Sequence, residues 1–440
     1  MIKEFKVIKL TKNIAVFLLG LNILTYSHVL HAELTIEITE GVKSAYKIAV
    51  AAFAAPLGEQ LPVDVAQIIS DDLAGSGYFK SLARTDMLTQ PSRAAHVKFR
   101  NWAAIGQDYL VIGFIKKDNN LYHVQMSLFD VYKKEQLKGL RVTVEASSLR
   151  MAAHHLSNVI YEKVMGITGN FTTRIAYVTS TLDANKQMQY HLNIADYDGE
   201  NAIAIAQSKE PIMSPAWSPK GDKIAYVSFE NKVSEVFIQT LTTGQRVSIA
   251  KYKGINGAPA WSPDAKEMAL TLSKDGNSDI YIMNLANRSL RKLTRSWAID
   301  TEAAWSPDGK QILFTSDRGR RPQLYIIPSD GQGVAERVTF DGDYNARGAF
   351  SPDGRSIAMV QGVQGNYRIA ILDLKTHSTQ VLTDGTLDES PSFAPNGRTI
   401  IYARRKGDKE ILAMVAADGT TKQDIKNTAG VVREPAWSPL

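Results

Sequence analysis

Acidic residues recur at one place in the second half of the chain, and converging carboxylates could hold a metal ion for lactone hydrolysis. They are Asp300, Glu302, Asp388, Glu389 and Glu434. A metal-dependent lactonase needs several such carboxylates, usually with Asn or His, on one axis. Arg347 and Arg433 occupy equivalent places in the pattern and disfavour a bare cation site. A propeller hydrolase or metal-dependent lactonase therefore stays the alternative to a binding protein.

No other signature of catalysis is present. The sequence contains no G-x-S-x-G nucleophile elbow, no phosphate-binding G-x-x-x-x-G-K-[ST] and no H-E-x-x-H. His154 and His155 are adjacent, so on a helix their side chains point about 100° apart and make a poor chelate. Cysteine is absent, which excludes disulfides and thiolate chemistry. We therefore expect no enzymatic activity, no metal and no cofactor.

These acidic residues belong to a repeat. Aligned on its aromatic residue, the phrase reads AWSPKGDKIAYVS (Trp217), AWSPDAKEMALTL (Trp261), AWSPDGKQILFTS (Trp305), AFSPDGRSIAMVQ (Phe350), SFAPNGRTIIYAR (Phe393) and AWSPL (Trp437). The spacings are 44, 44, 45, 43 and 44 residues. Each unit has four short apolar strands separated by turn residues, which is typical of a β-propeller blade. Ala265 stands where the turn favours Gly, so we expect that turn to be the least regular.

The chain ends on the first strand of a unit that it does not complete. Near residue 173 the segment TRIAYVTS begins a blade without an AWSP strand. Pairing the C-terminal AWSP strand with this blade would complete it and close the ring. The sequence thus predicts a six-bladed propeller over residues 171–440, closed by the C-terminal strand.

Residues 45–165 lack the period and predict a small α/β domain. Helical spacing covers residues 63–79 and 99–106, and strand patterns cover 45–54, 108–117, 121–131 and 137–146. A last helix, capped by Ser147 or Ser148, should run to Val164. Residues 166–170 form a short linker. The fold class is therefore an α/β N-terminal domain followed by an all-β six-bladed propeller.

Residues 1–32 have the layout of a secretory signal peptide. Four lysines precede an apolar run from Ile14 to Leu24, which is too short to span a bilayer, although a membrane anchor is the alternative. Removing this segment takes away four lysines and one glutamate, so the formal net charge falls from +6 to +3. Such a charge does not favour nucleic acid or an anionic membrane as a partner.

A two-faced strand is predicted directly after the signal peptide, in residues 33–44 (ELTIEITEGVKS). Leu34, Ile36 and Ile38 alternate with polar residues. The segment is either an edge strand of its own domain or a free strand that pairs with the sheet edge of a partner.

A candidate binding surface follows from the repeat. The residues four and three positions before each aromatic should form a ring at the channel mouth, in the links between blades. They are Met213-Ser214, Gly257-Ala258, Thr301-Glu302, Ala346-Arg347, Glu389-Ser390 and Arg433-Glu434. They differ between blades while the strands agree, as expected of a binding face on a scaffold. Solvated turns are the alternative, and a glycan-binding propeller is disfavoured because its Trp residues should pack between blades.

An ordered set of motifs resembles the TolB family of Tol-Pal systems. The motifs are ELTIEITEGVKS, FTTRIAYV, DYDG, PIMSPAWSP, NGAPAWSPD, FTSDRGRRPQ, LDESPSFAPNG and the terminal PAWSP, and they span the chain after residue 32. The resemblance implies a periplasmic, non-enzymatic adaptor that is monomeric and reaches membranes only through its protein partners. It also implies a role in outer-membrane integrity and in invagination during cell division.

The resemblance further implies two partners. The outer-membrane lipoprotein Pal would bind the channel mouth, at family positions that correspond to Ala258, Thr301 and Glu302. From the same ring we add Met213, Ser214, Arg347, Asp388 and Glu389. The inner-membrane protein TolA would bind the N-terminal segment, through Glu33, Leu34, Thr35, Ile36, Glu37, Ile38, Thr39 and Glu40. Ile255 stands where the family often has His.

Overall fold

The computed structural model describes residues 45–55, 60–425 and 430–440. The predicted signal peptide and the predicted partner-binding strand, residues 33–44, lie outside the described residues.

The first part of the described chain is a five-stranded sheet with helices on both faces. Its strands are β1 (Tyr46–Val50), β2 (Phe79–Ser81), β3 (Tyr109–Asp118), β4 (Leu121–Asp130) and β5 (Glu135–Glu145), in the order β2-β1-β3-β4-β5. Its helices are α1 (Val65–Gly75), α2 (Phe99–Ala104) and α3 (Leu149–Met165), with single 3₁₀ turns at Arg84–Asp86, Ala94–His96 and Ala146–Ser148. β1 pairs in parallel with β2 and β3, and the other pairs are antiparallel.

Apolar spacing explains how the helices pack. α1 and α3 cover one face of the sheet with residues such as Ile69 and Leu156, while Trp102 of α2 lies against the other face. The predicted Ser cap of α3 is wrong, because the Ser148 side chain makes no capping hydrogen bond and a 3₁₀ turn leads into the helix instead. The helix ends at Met165, and Gly166 after it has a φ of 73°, which permits the left-handed C-terminal turn.

Six four-stranded sheets follow, each with its strands ordered from the channel outward. Blade 1 contains β29 (Val431–Trp437), β6 (Arg174–Leu182), β7 (Met188–Asp196) and β8 (Ile203–Ser208). Blade 2 contains β9 (Ile212–Trp217), β10 (Lys223–Ser228), β11 (Glu235–Thr240) and β12 (Arg246–Ala250). Blade 3 contains β13 (Asn256–Trp261), β14 (Glu267–Leu272), β15 (Asp279–Asn284) and β16 (Leu290–Lys292).

The remaining blades repeat this arrangement. Blade 4 contains β17 (Asp300–Trp305), β18 (Gln311–Ser316), β19 (Gln323–Pro328) and β20 (Glu336–Arg337). Blade 5 contains β21 (Tyr344–Phe350), β22 (Ser356–Val363), β23 (Asn366–Asp373) and β24 (Thr379–Val381). Blade 6 contains β25 (Asp388–Phe393), β26 (Thr399–Lys406), β27 (Lys409–Ala416) and β28 (Lys422–Asp424). The predicted six-bladed propeller is confirmed.

The C-terminal strand closes the ring as predicted. β29 pairs antiparallel with β6, with Val432 opposite Thr179 and Trp437 opposite Ile175. The Trp437 indole N–H donates to Thr173 Oγ1 at 2.8 Å. The strand that completes blade 1 therefore comes from the other end of the propeller sequence.

The tryptophans of the repeat join neighbouring blades. Trp261 donates its indole N–H to the carbonyl of Ala216, and Trp305 donates to the carbonyl of Ala260. Both bonds are 3.1 Å long and cross to the preceding blade. The repeat period is therefore also the spacing of an inter-blade contact.

The turn at Ala265 was expected to be irregular, and this expectation is wrong. Ala265 adopts φ 59°, close to the 71° of Gly309 in the next blade. Its N–H donates to the carbonyl of Ser262 at 2.9 Å, which is also the length of the Gly309 to Ser306 bond. The alanine therefore accepts a left-handed conformation so that the turn keeps its form.

The α/β domain lies on one face of the propeller. In each blade, the turn after the first strand and the turn after the third strand share a face because neighbouring strands are antiparallel. Asn396, in the turn between β25 and β26, donates its side-chain N–H to the carbonyl of Thr168 at 3.0 Å. Gly77 packs closely against Thr421, which follows the turn after β27. The links between blades lie on the opposite face, which this domain leaves open.

Candidate functional site

The predicted ring residues lie inside the inner strands, which corrects the expectation that they lie in the links. In all six blades the pairing of the inner strand with its neighbour is interrupted at this point by a β-bulge. The second residue of each pair has a positive φ: Ser214 52°, Ala258 45°, Glu302 56°, Arg347 52°, Ser390 57° and Glu434 51°. Non-glycine residues rarely adopt this conformation, and bulges commonly re-aim side chains at functional sites.

Arg347 connects the bulges of several blades across the channel. Its guanidinium contacts Glu302 Oε1 of blade 4 through Nε at 3.0 Å and donates to Glu434 Oε1 of blade 1 at 3.0 Å. It also donates to Ser390 Oγ of blade 6 at 2.7 Å. Glu434 Oε2 accepts in turn from the Ser214 backbone N–H of blade 2. One polar network therefore joins five of the six blades.

In this network one guanidinium lies between two carboxylates. Burial opposes the positive charge of Arg347, but Glu434 and Glu302 together raise the pKa of the guanidinium above its ordinary value. Glu302 Oε2 also accepts from Thr315 Oγ1 at 2.9 Å. The two carboxylates are therefore held by donors of their own chain.

Most of the other predicted residues also line the inner strands. Met213, Ala258, Thr301 and Glu389 are partly exposed. Thr301 Oγ1 lies 3.3 Å from Thr271 Oγ1 of blade 3. Seven of the eight residues proposed for this surface thus retain some exposure.

Asp388 is the exception, because its side chain is fully buried. Its carboxylate accepts from the Gly385 backbone N–H at 3.2 Å and lies 3.9 Å from Arg404 Nε. Burial raises the pKa of the Asp388 carboxyl. Asp388 therefore orders the link before β25 and presents no surface to a partner.

A set of exposed apolar side chains borders the channel mouth along three consecutive blades, 3, 4 and 5, and we call it the apolar collar. Its members are Ile255 (53% exposed), Trp297 (78%), Ile299 (52%) and Phe340 (67%), all in the links before β13, β17 and β21. Sequence reasoning noted Ile255 alone. Large apolar residues in links that should be polar were the available signal for the other three.

The arrangement at the mouth does not fit a metal-dependent lactonase. Its carboxylates Glu302 and Glu434 already pair with Arg347. Across residues 45–55, 60–425 and 430–440, the one cluster of His, Asp and Glu close enough to share a metal ion is Asp72, His154 and Asp198, which lies elsewhere. Bulged inner strands that carry the paired charges of Arg347, Glu302 and Glu434, beside exposed apolar side chains, are instead suited to contact with another protein.

The structure defines a six-bladed propeller protein with an appended α/β domain, and comparison with known proteins divides the chain into the same two domains. The TolB amino-terminal domain family matches residues 34–137, and the TolB beta propeller domain family matches residues 161–440. The chain belongs to the TolB family.

Relatives that match most of the chain belong to the same family. The chain is 51% identical over 410 residues to the Tol-Pal system protein TolB of Xanthomonas oryzae, covering 92% of this chain and 93% of that protein. It is 53% identical over 409 residues to the Tol-Pal system protein TolB of Nitrosococcus oceani, covering 93% and 94%. The crystal structure of TolB from Acinetobacter baumannii matches with a TM-score of 0.84 and 42% identity, over 90% of this chain and 97% of that one. In the described part of the chain, no helix combines the length and the apolar character needed to cross a membrane.

Proposed function

We propose that this protein is a non-enzymatic periplasmic adaptor of a Tol-Pal system, in which the channel mouth binds the lipoprotein Pal. Family membership and the printed names of the relatives support the system. One observation supports this binding site: the bulged inner strands with Arg347, Glu302 and Glu434 lie beside the apolar collar, on the face that the α/β domain leaves open. Protein interfaces combine apolar contact area with a smaller number of oriented polar groups, and this face offers both.

The residues of this face suggest which side chains make the apolar part of the contact with Pal and which make the polar part. Trp297 and Phe340 supply large apolar surfaces that lose contact with water when covered. Thr301, Glu302 and Arg347 supply polar groups that fix the orientation of the partner. Because Glu302 is already paired with Arg347, a partner would bind a preorganised network and would not have to order free side chains.

Calorimetric titration of residues 33–440 with soluble Pal from the same organism tests the site. We expect saturable binding that Glu302→Arg removes, because the new guanidinium faces Arg347. Glu336→Arg is the matched control, since Glu336 is exposed on the outer strand of the same blade. Absence of binding by the unsubstituted protein, or equal loss in both variants, would contradict the proposal.

A second pair of variants tests the apolar collar without changing charge. Trp297→Ala should weaken Pal binding by about 10-fold or more, as is common for exposed aromatic residues that become buried at interfaces. Val334→Ala is its control, because Val334 is 76% exposed but lies just before the outer strand of blade 4. If both variants bind like the unsubstituted protein, the collar is not part of the contact.

We further propose that residues 33–44 bind TolA by adding a strand to a sheet edge of that partner. The alternation of Leu34, Ile36 and Ile38 with polar residues suits a strand with one apolar face. Together the two contacts would link the outer and inner membranes and support outer-membrane integrity and invagination during division. Deleting residues 33–44 should abolish TolA binding and leave Pal binding unchanged; loss of both, or of neither, argues against it.

A further inference from the structure

A pocket lies in the α/β domain where the starts of β1 and β3 meet the end of β4. Its volume is about 340 Å³, within the range of small-ligand sites. Sheet pairing places Tyr109 opposite Asp130, and the Val131 backbone N–H donates to the Asp108 carbonyl at 2.9 Å. The side chains that line the pocket are Tyr46, Asp108, Tyr109, Asp130, Tyr132 and Lys133. The contacts proposed above with Pal and TolA assign no ligand to this pocket.

Tyrosine rings form the apolar part of the pocket. The ring centroids of Tyr46 and Tyr109 are 5.6 Å apart, and their planes meet edge to face at 69°. Tyr46 is 40% exposed and Tyr132 is 59% exposed, so ring surface remains accessible to a ligand. The face of a tyrosine ring has a negative potential that attracts cations, and clusters of aromatic rings recognise ammonium groups for this reason.

Two carboxylates form the polar part of the pocket. Asp108 Oδ2 accepts from the Lys47 backbone N–H, and Asp130 Oδ1 accepts from the Lys133 backbone N–H, both at 2.8 Å. These bonds orient the two side chains and leave Asp108 Oδ1 and Asp130 Oδ2 for a ligand. Lys133 Nζ lies 3.7 Å from Asp130 Oδ2 and 3.9 Å from Glu135 Oε1. One ammonium group is therefore shared between two carboxylates, and the pocket keeps an excess of negative charge.

The chemistry of the lining residues favours an organic cation over other ligands. Among residues 45–55, 60–425 and 430–440, Asp108 and Asp130 have no third His, Asp or Glu near enough to complete a metal site. Two carboxylates disfavour an anion. Burial, and after it Tyr46 and the two carboxylates, raises the pKa of the Tyr109 hydroxyl, so this side chain stays neutral. Open aromatic faces beside carboxylates are left, and both attract a positive charge.

We propose that this pocket binds the ammonium group of a lysine side chain that a protein partner presents. The tyrosine rings contact the aliphatic stem, while Asp108 Oδ1 and Asp130 Oδ2 accept from the ammonium group. A guanidinium fits less well, because it pairs best with both oxygens of one carboxylate, and one oxygen of each carboxylate already accepts from the backbone. This site does not depend on the proposed function.

Titration of residues 33–440 with Nα-acetyl-lysine methylamide, followed by saturation-transfer NMR of the ligand, tests the site. Nα-acetyl-norleucine methylamide is the matched ligand, because it keeps the aliphatic stem and lacks the charge. Ligand concentrations up to about 20 mM detect dissociation constants in the millimolar range. We expect saturable binding of the lysine derivative alone. Absence of that binding, equal binding of the norleucine derivative, or displacement of the lysine derivative by N-acetylglucosamine overturns the proposal.

Substitutions in the pocket separate the contribution of the rings from that of the carboxylates. Tyr132→Ala should weaken binding by about two- to fivefold, whereas Tyr132→Phe keeps the aromatic face and should bind almost like the unsubstituted protein. Asp130→Asn should also weaken binding. Its matched control is Asp118→Asn, because Asp118 is exposed at the other end of β3. Unchanged affinity in both Tyr132→Ala and Asp130→Asn overturns the proposal.

Lys133→Met distinguishes a cation site from an anion site. Lys133 lies beside Asp130 and competes with a bound ammonium group, so its removal should strengthen binding of the lysine derivative. Weaker binding in this variant would mean that Lys133 itself contacts the ligand, and it would overturn the proposal. Circular dichroism and titration with Pal verify that each variant is folded, because the channel mouth lies on the other face of the propeller.

Discussion

Arg347 on the inner strand of blade 5 donates to Glu434 on the inner strand of blade 1, at 3.0 Å, with blade 6 between them. The same guanidinium contacts Glu302 of blade 4, also at 3.0 Å. With its hydrogen bond to Ser390 of blade 6, this single side chain therefore ties four blades together near the channel mouth. Two negative charges there depend on it for compensation.

Replacing Arg347 should accordingly reduce stability. Arg347→Met keeps an aliphatic stem but leaves Glu302 and Glu434 facing each other without a cation, and we expect the free energy of unfolding to fall by about 1–2 kcal/mol. The value is below that for fully buried pairs because the Arg347 side chain is 36% exposed. Urea unfolding followed by circular dichroism measures it.

Arg433→Met is the control for this measurement. Arg433 lies one position before Glu434, its side chain is 53% exposed, and its partner Glu410 also contacts Arg405. Because Glu410 keeps a second cation, this variant should lose less than about 1 kcal/mol. Equal losses of unfolding free energy in the two variants would contradict the argument that Arg347 stabilises the protein by bridging blades.

Ala265 and Gly309 occupy equivalent turn positions in neighbouring blades, and substitutions at the two positions should change the free energy of unfolding in opposite directions. Ala265→Gly should raise the free energy of unfolding, and Gly309→Ala should lower it, each by about 1 kcal/mol, because only glycine adopts a positive φ without strain. A Cβ added at Gly309 would meet Pro263 Cδ at 3.7 Å, an ordinary contact, so the cost is conformational. Thermal or urea unfolding measures both; changes of the same sign would contradict the argument.

The blades and their closure could be predicted because they rest on a repeated contact. The tryptophan of the repeat recurs at a spacing in sequence equal to the length of one blade. Trp261 and Trp305 accordingly donate to equivalent alanine carbonyls of the preceding blades. Such local regularity is visible in a single sequence. The strands and helices of the α/β domain followed from apolar spacing for the same reason.

The details of the site could not be predicted in this way. Ser214, Glu302 and Arg347 are not residues that indicate a positive φ, so nothing in the sequence marked the bulges. Asp388 is charged and close to the ring, yet it is buried against its own link. The contact between Asp72 and His154 joins residues 82 positions apart, and no periodic pattern relates them.

Because Trp437 lies on the strand that closes the ring, its replacement should reduce stability more than replacement of Trp297. Trp437→Ala should lower the free energy of unfolding by about 3–5 kcal/mol, because this side chain is 7% exposed and its indole holds Thr173 of blade 1. Trp297→Ala should change it by less than about 0.5 kcal/mol, because Trp297 is 78% exposed. Unfolding curves of the two variants measure the difference, and similar stabilities would argue against a structural role for the closing strand.

The serine and aspartate of the repeat turn predict a response to acid. Ser351 Oγ donates to Asp353 Oδ1 at 2.6 Å, and this bond is the main reason that the pKa of Asp353 lies below its ordinary value. The unfolded chain therefore takes up the proton more readily than the folded protein. The stabilisation is present above about pH 4, the ordinary range of the carboxyl, and is lost as the pH falls through the lower folded value.

Asp353→Asn removes the titrating group and keeps an oxygen that accepts from Ser351. We expect the stability difference between the unsubstituted protein and this variant to be largest near pH 6 and to shrink toward about pH 3, because the carboxyl loses its charge there. Ser351→Ala removes the main cause of the lowered pKa, so its difference should shrink over the same range. Urea unfolding at the two pH values measures both, and a difference for Asp353→Asn that stays constant would show that the hydrogen bond does not favour the charged form.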